Sequence, residues 1–142
     1  MADLEKAILI AAQAHKGQKD RAGRPYILHP LRVMFRLHHE RDMIVAILHD
    51  VIEDTEWTLH ELKKEGFSDE VVDAVNALTR RTGESYWDLI ARAKKNRIAR
   101  KVKIIDLEDN MDVRRMAKIS DEERDRLKRY HKAWLLLQSM ES

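Results

Sequence analysis

The residues of this chain best suited to chemistry sit in one stretch, Asp42 to Thr55, which reads DMIVAILHDVIEDT. A near-continuous aliphatic run, Met43 through Leu48 and then Val51, predicts a helix buried on most sides. Into that run the chain places His49 and Asp50, followed by Glu53 and Asp54. Helical spacing sets Glu53 one turn after His49 and Asp54 one turn after Asp50, so four ionisable groups share one sector of a mostly apolar helix. Burying them unpaired is costly. An adjacent imidazole and carboxylate suit a transition-metal ion, and further carboxylates beside it suit proton transfer to or from a metal-activated water. Any one of these residues alone reads equally well as a satisfied polar group in a core; four within six positions weigh against that.

The rest of the chain must position this stretch. With 142 residues, one compact domain spanning 1–142 is the natural count, and that length buries a sizeable core. Only four Gly and two Pro, among abundant Ala, Leu, Glu, Lys and Arg, predict an all-α fold of about seven to eight helices. Dense but balanced charge, 27 basic against 25 acidic residues, gives no overall pull toward nucleic acid or anionic lipid. The absence of Cys excludes disulfides, thiolate metal sites and a Cys nucleophile. No stretch reaches membrane-spanning length and none has a signal-peptide pattern, so a cytoplasmic location is expected. The residues leave the oligomeric state open.

The first helix is expected from about Asp3, as N-cap, to a stop at Gly17, with His15 on its apolar stripe. The loop QKDRAGRPYILHP gathers Lys19, Arg21 and Arg24, and Pro30 suits the first turn of a second helix. That places His29 at the helix start, well located for a buried site; His38, His39, His60 and His131 read as surface or partly packed residues. After the central helix, Thr58 begins a short helix ended by Gly66, and Ser68 caps another that runs to about Thr79. RRTGES is a loop, and an amphipathic stretch follows from Tyr86 to Asn96. A long helix, Ile98 to Ala117, brings the second constellation: Asp106 and Asn110 are one turn apart, while Asp109 and Asp112 read as a solvated face. Ser120 caps the last helix, whose Leu127, Tyr130, Ala133, Trp134, Leu137 and Met140 form a packing stripe.

Collected, the candidate ligands are His29, His49, Asp50 and Asp106, in the order H, HD, D. Imidazole and carboxylate ligands without thiolate describe a site for a divalent transition metal. That order resembles the HD superfamily of metal-dependent phosphohydrolases, and within it the hydrolase domain of the RelA/SpoT-type alarmone enzymes and their small relatives. Three motifs carry the likeness: AHKGQKDRAGRPYILHP from Ala14 to Pro30, ILHDVIEDT from Ile47 to Thr55, and VKIIDLEDN from Val102 to Asn110. One HD dipeptide is weak evidence; three motifs in order are specific.

The resemblance implies a single HD-domain helical fold, a metal, most often Mn2+, held by His29, His49, Asp50 and Asp106, and catalytic work for Glu53 and Asp54. It implies a small nucleotide as substrate, met by Lys16, Arg21, Arg24, Tyr26, Lys103 and Asn110. The implied reaction is hydrolysis of a nucleotide-like phosphoester, with (p)ppGpp 3′-pyrophosphohydrolase as the specific form. Where alarmone hydrolases have an Arg-Lys pair in the first loop, this chain has Asp20 and Arg21. The alternatives are a hydrolase of another phosphorylated nucleotide or dinucleotide, and a non-catalytic nucleotide- or metal-binding regulatory module. A helical interaction protein is a third, and it requires the acidic cluster to face solvent.

Overall fold

The computed structural model describes residues 2–139 and is built from helices, with one isolated bridge between Lys19 and Pro25 as its only extended pairing among those residues. In chain order the α-helices are α1 Leu4–Ala14, α2 Leu28–Phe35, α3 Glu40–Leu48, α4 Val51–Asp54, α5 Leu59–Lys64, α6 Asp69–Leu78, α7 Tyr86–Lys95, α8 Arg97–Asn110 and α9 Asp121–Gln138, with a 3-10 turn at Val113–Arg115. Counting α3 and α4 as one interrupted segment gives eight helices, the all-α fold the composition implied. No described helix is long and apolar enough to cross a membrane.

Local capping sets most helix starts where the side chains demand. Asp3, Thr58, Ser68 and Ser120 each accept from a backbone N–H three residues on, and Thr58 completes a capping box with Glu61. Gly66, with φ of 102°, occupies the left-handed region that ends the α5 segment at little cost. Three boundaries differ from expectation. Helix α1 stops at Ala14, and His15 becomes its buried C-cap. The central stretch divides at His49 and Asp50, so the two polar residues occupy a tight turn between α3 and α4. Helix α8 ends at Asn110 because the Asp112 side chain accepts from the Arg114 N–H, a local bond that competes with continuing the helix.

The core lies around α3. Val45, Ala46, Ile47 and Leu48 are completely buried, enclosed by α1, α2, α6 and α8. Burying one such aliphatic side chain contributes about 1.5–3 kcal/mol, so α3 is anchored on all sides and holds His49 in fixed register with its neighbours. A smaller cluster, Ile90, Leu107, Ala133 and Leu137, ties α7 and α9 to the opposite side of α8. The packing stripe expected of α9 is present in Ala133 and Leu137, with Tyr130 and Trp134 partly buried; Met140 lies outside the described residues. Asp42 is 1% exposed and is held by Arg41 and by Lys101 Nζ at 3.0 Å, an ion pair that locks α3 to α8.

Candidate metal centre

Three parts of the fold bring the four expected ligands together: His29 from the first turn of α2, His49 and Asp50 from the α3–α4 turn, and Asp106 from the middle of α8. One ligand atom from each lies within 4.8 Å of all the others. His29 Nε2 is 2.7 Å from Asp106 Oδ1 and 3.9 Å from Asp50 Oδ2, while His49 Nε2 is 3.2 Å and 3.1 Å from the same two oxygens. His29, His49 and Asp106 are 6%, 3% and 3% exposed. Burial on this scale is incompatible with a merely solvent-facing acidic cluster.

Both imidazoles are oriented from behind. His49 Nδ1 donates to the Ala46 carbonyl, and His29 Nδ1 donates to Asp109 Oδ2 at 2.6 Å. Each ring therefore turns Nε2 toward the carboxylates, and this is the nitrogen that a bound ion would take in place of the proton it shares with them. Two such nitrogens and two carboxylate oxygens around one point form a donor set for a divalent transition metal.

The electrostatics agree with a cation site. Burial alone pushes His29 down, but hydrogen bonds to Asp106 and Asp109 outweigh it and raise its pKa to about 9. Burial likewise opposes ionisation of Asp50 and Asp106, yet the imidazole of His49 beside Asp50, and Lys103 beside Asp106, hold both carboxyls well below the usual range. Asp54 behaves in the opposite way. Desolvation first, then the negative charges of Asp50 and Glu53, push it up to about 6.

The remaining expected residues divide by position. A cleft of about 930 Å³ reaches the site at His29 and is also lined by Arg21, Tyr26 and Asn110. Tyr26 also donates from its hydroxyl to Asp50 Oδ2 at 2.5 Å, so it steadies a ligand as well as facing the cleft. Lys103 Nζ lies 2.8 Å from Asp106 Oδ2, directed at the cage rather than into the cleft. Lys16 and Arg24 are exposed and lie outside the cleft lining. Glu53 uses Oε1 to accept from the Arg80 N–H at 2.7 Å, which pins the loop after α6 beside α4. Asp20 turns back on its own loop, with Oδ1 accepting from the N–H groups of Ala22 and Arg24, both at 2.9 Å.

Asp109 corrects the sequence reading. Instead of lying on a solvated face, its side chain is 9% exposed and bonded to His29, Arg32 and Arg115. Asp112 is partly covered and pairs with Arg114 and Arg115 at the cleft wall. A signal for Asp109 was present: it stands one turn after Asp106, as Arg32 does after His29. Arg114, Arg115 and Lys118, which also line the cleft, follow the third motif and carry no spacing signal of their own.

Two histidines and two aspartates, brought together by three parts of a helical fold next to a cationic cleft, form a group that could hold a metal ion. A family model described as HD domain matches residues 7–129, so the chain belongs to the HD domain family. Over 83 residues it is 39% identical to guanosine-3′,5′-bis(diphosphate) 3′-pyrophosphohydrolase of Aquifex aeolicus, a match covering 55% of this chain and 12% of that protein. The protein of the same name from Haemophilus influenzae is 43% identical over 76 residues, 49% of this chain and 11% of its own length. GTP pyrophosphokinase of Streptomyces coelicolor is 37% identical over 81 residues, 54% and 9% respectively. The chain thus spans about a tenth of each of these relatives. A solved structure of a metazoan ortholog of SpoT, which hydrolyses ppGpp, superposes with a TM-score of 0.79 at 24% identity, covering 98% of this chain and 87% of that one; this likeness establishes the fold.

Proposed function

We propose that the chain is a metal-dependent phosphohydrolase acting on a nucleotide phosphoester, with the 3′-pyrophosphate of guanosine alarmones as its specific substrate and Mn2+ as its metal. The observation that carries this reading is the convergence of four candidate ligand atoms within 4.8 Å, one of them on His29, which also lines a cleft rich in cations. His29, His49, Asp50 and Asp106 would hold the ion, which lowers the pKa of a water and polarises a phosphoryl oxygen.

The chain's own groups supply the rest. Asp54, with its pKa near 6, is ionised at neutral pH yet close enough to that range to accept a proton from the attacking water. Glu53, bonded to the Arg80 N–H, holds α4 in place and adds to the negative field that raises Asp54. Water attacks the phosphorus attached to the ribose 3′ oxygen, the bond from that oxygen to phosphorus breaks, pyrophosphate leaves, and the 3′ oxygen takes up a proton. Arg21, Arg32, Arg115 and Lys118 line the cleft where the remaining phosphates of such a substrate would lie. Asp20 bonds within its own loop while lining the cleft between Lys19 and Arg21, the two cations of that segment that face it. Among proteins similar to this chain, those named 3′-pyrophosphohydrolases support the same reading.

The test is product release by the purified chain with Mn2+ from a panel of guanosine alarmone, nucleoside di- and triphosphates, NADPH and simple phosphoesters, beside Asp50→Ala. Pyrophosphate released from the alarmone by the wild type and abolished in the variant is the expected result. Turnover of another panel member keeps the chemistry and moves the substrate. Metal binding without turnover of any member would overturn the enzymatic reading.

A further inference from the structure

We propose that Asp109 is a positioning residue of the metal centre: through His29 Nδ1 it fixes the tautomer and orientation of His29, and Arg32 and Arg115 hold it in place. The inference rests on the metal-binding part of the proposed function and not on the identity of the substrate.

The two histidine ligands are supported in different ways. His49 donates from Nδ1 to the Ala46 carbonyl three residues earlier, so its orientation is set within its own helix. His29 has its Nδ1 on a side chain 80 positions away, Asp109 Oδ2 at 2.6 Å. Remove that carboxylate, and nothing else recorded at Nδ1 prevents the proton from moving to Nε2, the atom that faces Asp106 and Asp50. An Nε2–H imidazole cannot ligate a metal through that nitrogen.

Asp109 is itself clamped. Arg32 donates to both of its oxygens, Nε to Oδ1 at 2.9 Å and Nη2 to Oδ2 at 3.1 Å, a planar fork that fixes the carboxylate plane. Arg115 Nη2 adds an ion pair at 3.3 Å to Oδ2 and donates to the Asp109 carbonyl. The result is a reciprocal clasp between two helices. Helix α2 offers His29 and, one turn on, Arg32; helix α8 offers Asp106 and, one turn on, Asp109. His29 meets both acids, one on each ring nitrogen, so α8 supplies a ligand and also the partner that orients a ligand from α2. Asp109 touches neither substrate nor reacting atoms in this arrangement.

The experiment titrates Mn2+ into the chelator-stripped full chain by calorimetry, comparing wild type with Asp109→Asn, Asp109→Ala and Arg32→Gln, with circular dichroism to monitor folding. Loss of an outer partner of this kind typically weakens metal binding by about 10–100-fold. We expect that range for Asp109→Ala and Asp109→Asn, a smaller loss for Arg32→Gln, and near-wild-type turnover in the two Asp109 variants once Mn2+ is saturating. The nitrogen resonances of His29 in the zinc-loaded protein should show Nδ1 protonated and Nε2 metallated in the wild type. Equal Mn2+ affinity in wild type and both Asp109 variants would overturn the inference while leaving the metal site standing. Should the Asp109 variants not fold, wild-type affinity and an unchanged His29 signature in Arg32→Gln would overturn the clamp. Failure of the wild type itself to bind Mn2+ would overturn the metal reading, and this inference with it.

Discussion

Lys103→Met separates two roles that this lysine can serve. Its Nζ lies 2.8 Å from Asp106 Oδ2, with the two side chains 15% and 4% exposed. Methionine keeps the length of the stem and removes only the charge. Breaking a buried pair from one side costs about 3–5 kcal/mol because the remaining charge is stranded. Here Asp106 retains His29 and His49 as partners, which points to the lower end, about 3 kcal/mol. A chain of 142 residues has an unfolding entropy of roughly 0.3 kcal/mol/K, so the Tm measured in chelator should fall by about 10 °C. Mn2+ then reverses the order of response. In the variant, the ion binds a carboxylate no longer neutralised by an ammonium, so added Mn2+ should raise Tm more than it does in the wild type. Thermal scans with and without Mn2+ read both effects. A Tm within about 2 °C of wild type in chelator, accompanied by a raised KM, would refute the argument and return Lys103 to the substrate.

Asp54→Asn should remove the acidic limb of the pH–rate profile, since in the wild type kcat/KM rises as Asp54 ionises, at a pH that the bound cation sets below the value of about 6 in the metal-free chain. The linkage has a definite sign: a folded pKa raised above the ordinary 3.8 means that stability is greatest below that value and is lost as pH rises through about 6. Tm in chelator should therefore decline less between about pH 4 and 6 in Asp54→Asn than in wild type; parallel slopes would remove Asp54 as the cause. Leu107→Ala, in the cluster with Ile90, Ala133 and Leu137, deletes a completely buried side chain and should cost about 2–5 kcal/mol by denaturant melt. Its Mn2+ affinity below the melting transition should stay near that of wild type; a parallel loss of affinity would show that this cluster, too, sets the position of Asp106.

What the sequence made legible was local. Capping by Asp3, Thr58, Ser68 and Ser120 depends on backbone groups three residues away, so side-chain type and position suffice to place it. That His29, His49, Asp50 and Asp106 lie together was legible because imidazole and carboxylate among apolar residues need a compensating partner, wherever that partner lies. Asp109 was misread for the complementary reason. Its partners are His29 and Arg32 on α2 and Arg115 beyond the end of α8, and only the packing of α2 on α8 brings the first two within reach. A stretch reading DLEDNMD carries the pattern of a solvated acidic face until that packing is known. The division between α3 and α4 was also hidden, since no Gly or Pro marks it. Tertiary contacts fix it: Leu48 and Val51 are both completely buried, on either side of a turn that aims His49 and Asp50 at Asp106.

The same side chain, aspartate, does different work at four positions of this centre, and its environment decides which. Asp50 and Asp106 face imidazoles and, for Asp106, an ammonium, so both remain ionised despite burial, as the ligand role proposed for them requires. Asp109, opposed mainly by burial but bonded to His29 and Arg32, is lowered to about 2 and serves as a fixed anionic brace. Asp54 meets desolvation and two further negative charges, and alone of the four is raised toward neutrality. Groups of one type whose pKa values are driven apart in this way mark where structural charge ends and proton transfer begins. By that criterion the boundary falls within α4, between the ligand that precedes it, Asp50, and its final residue, Asp54.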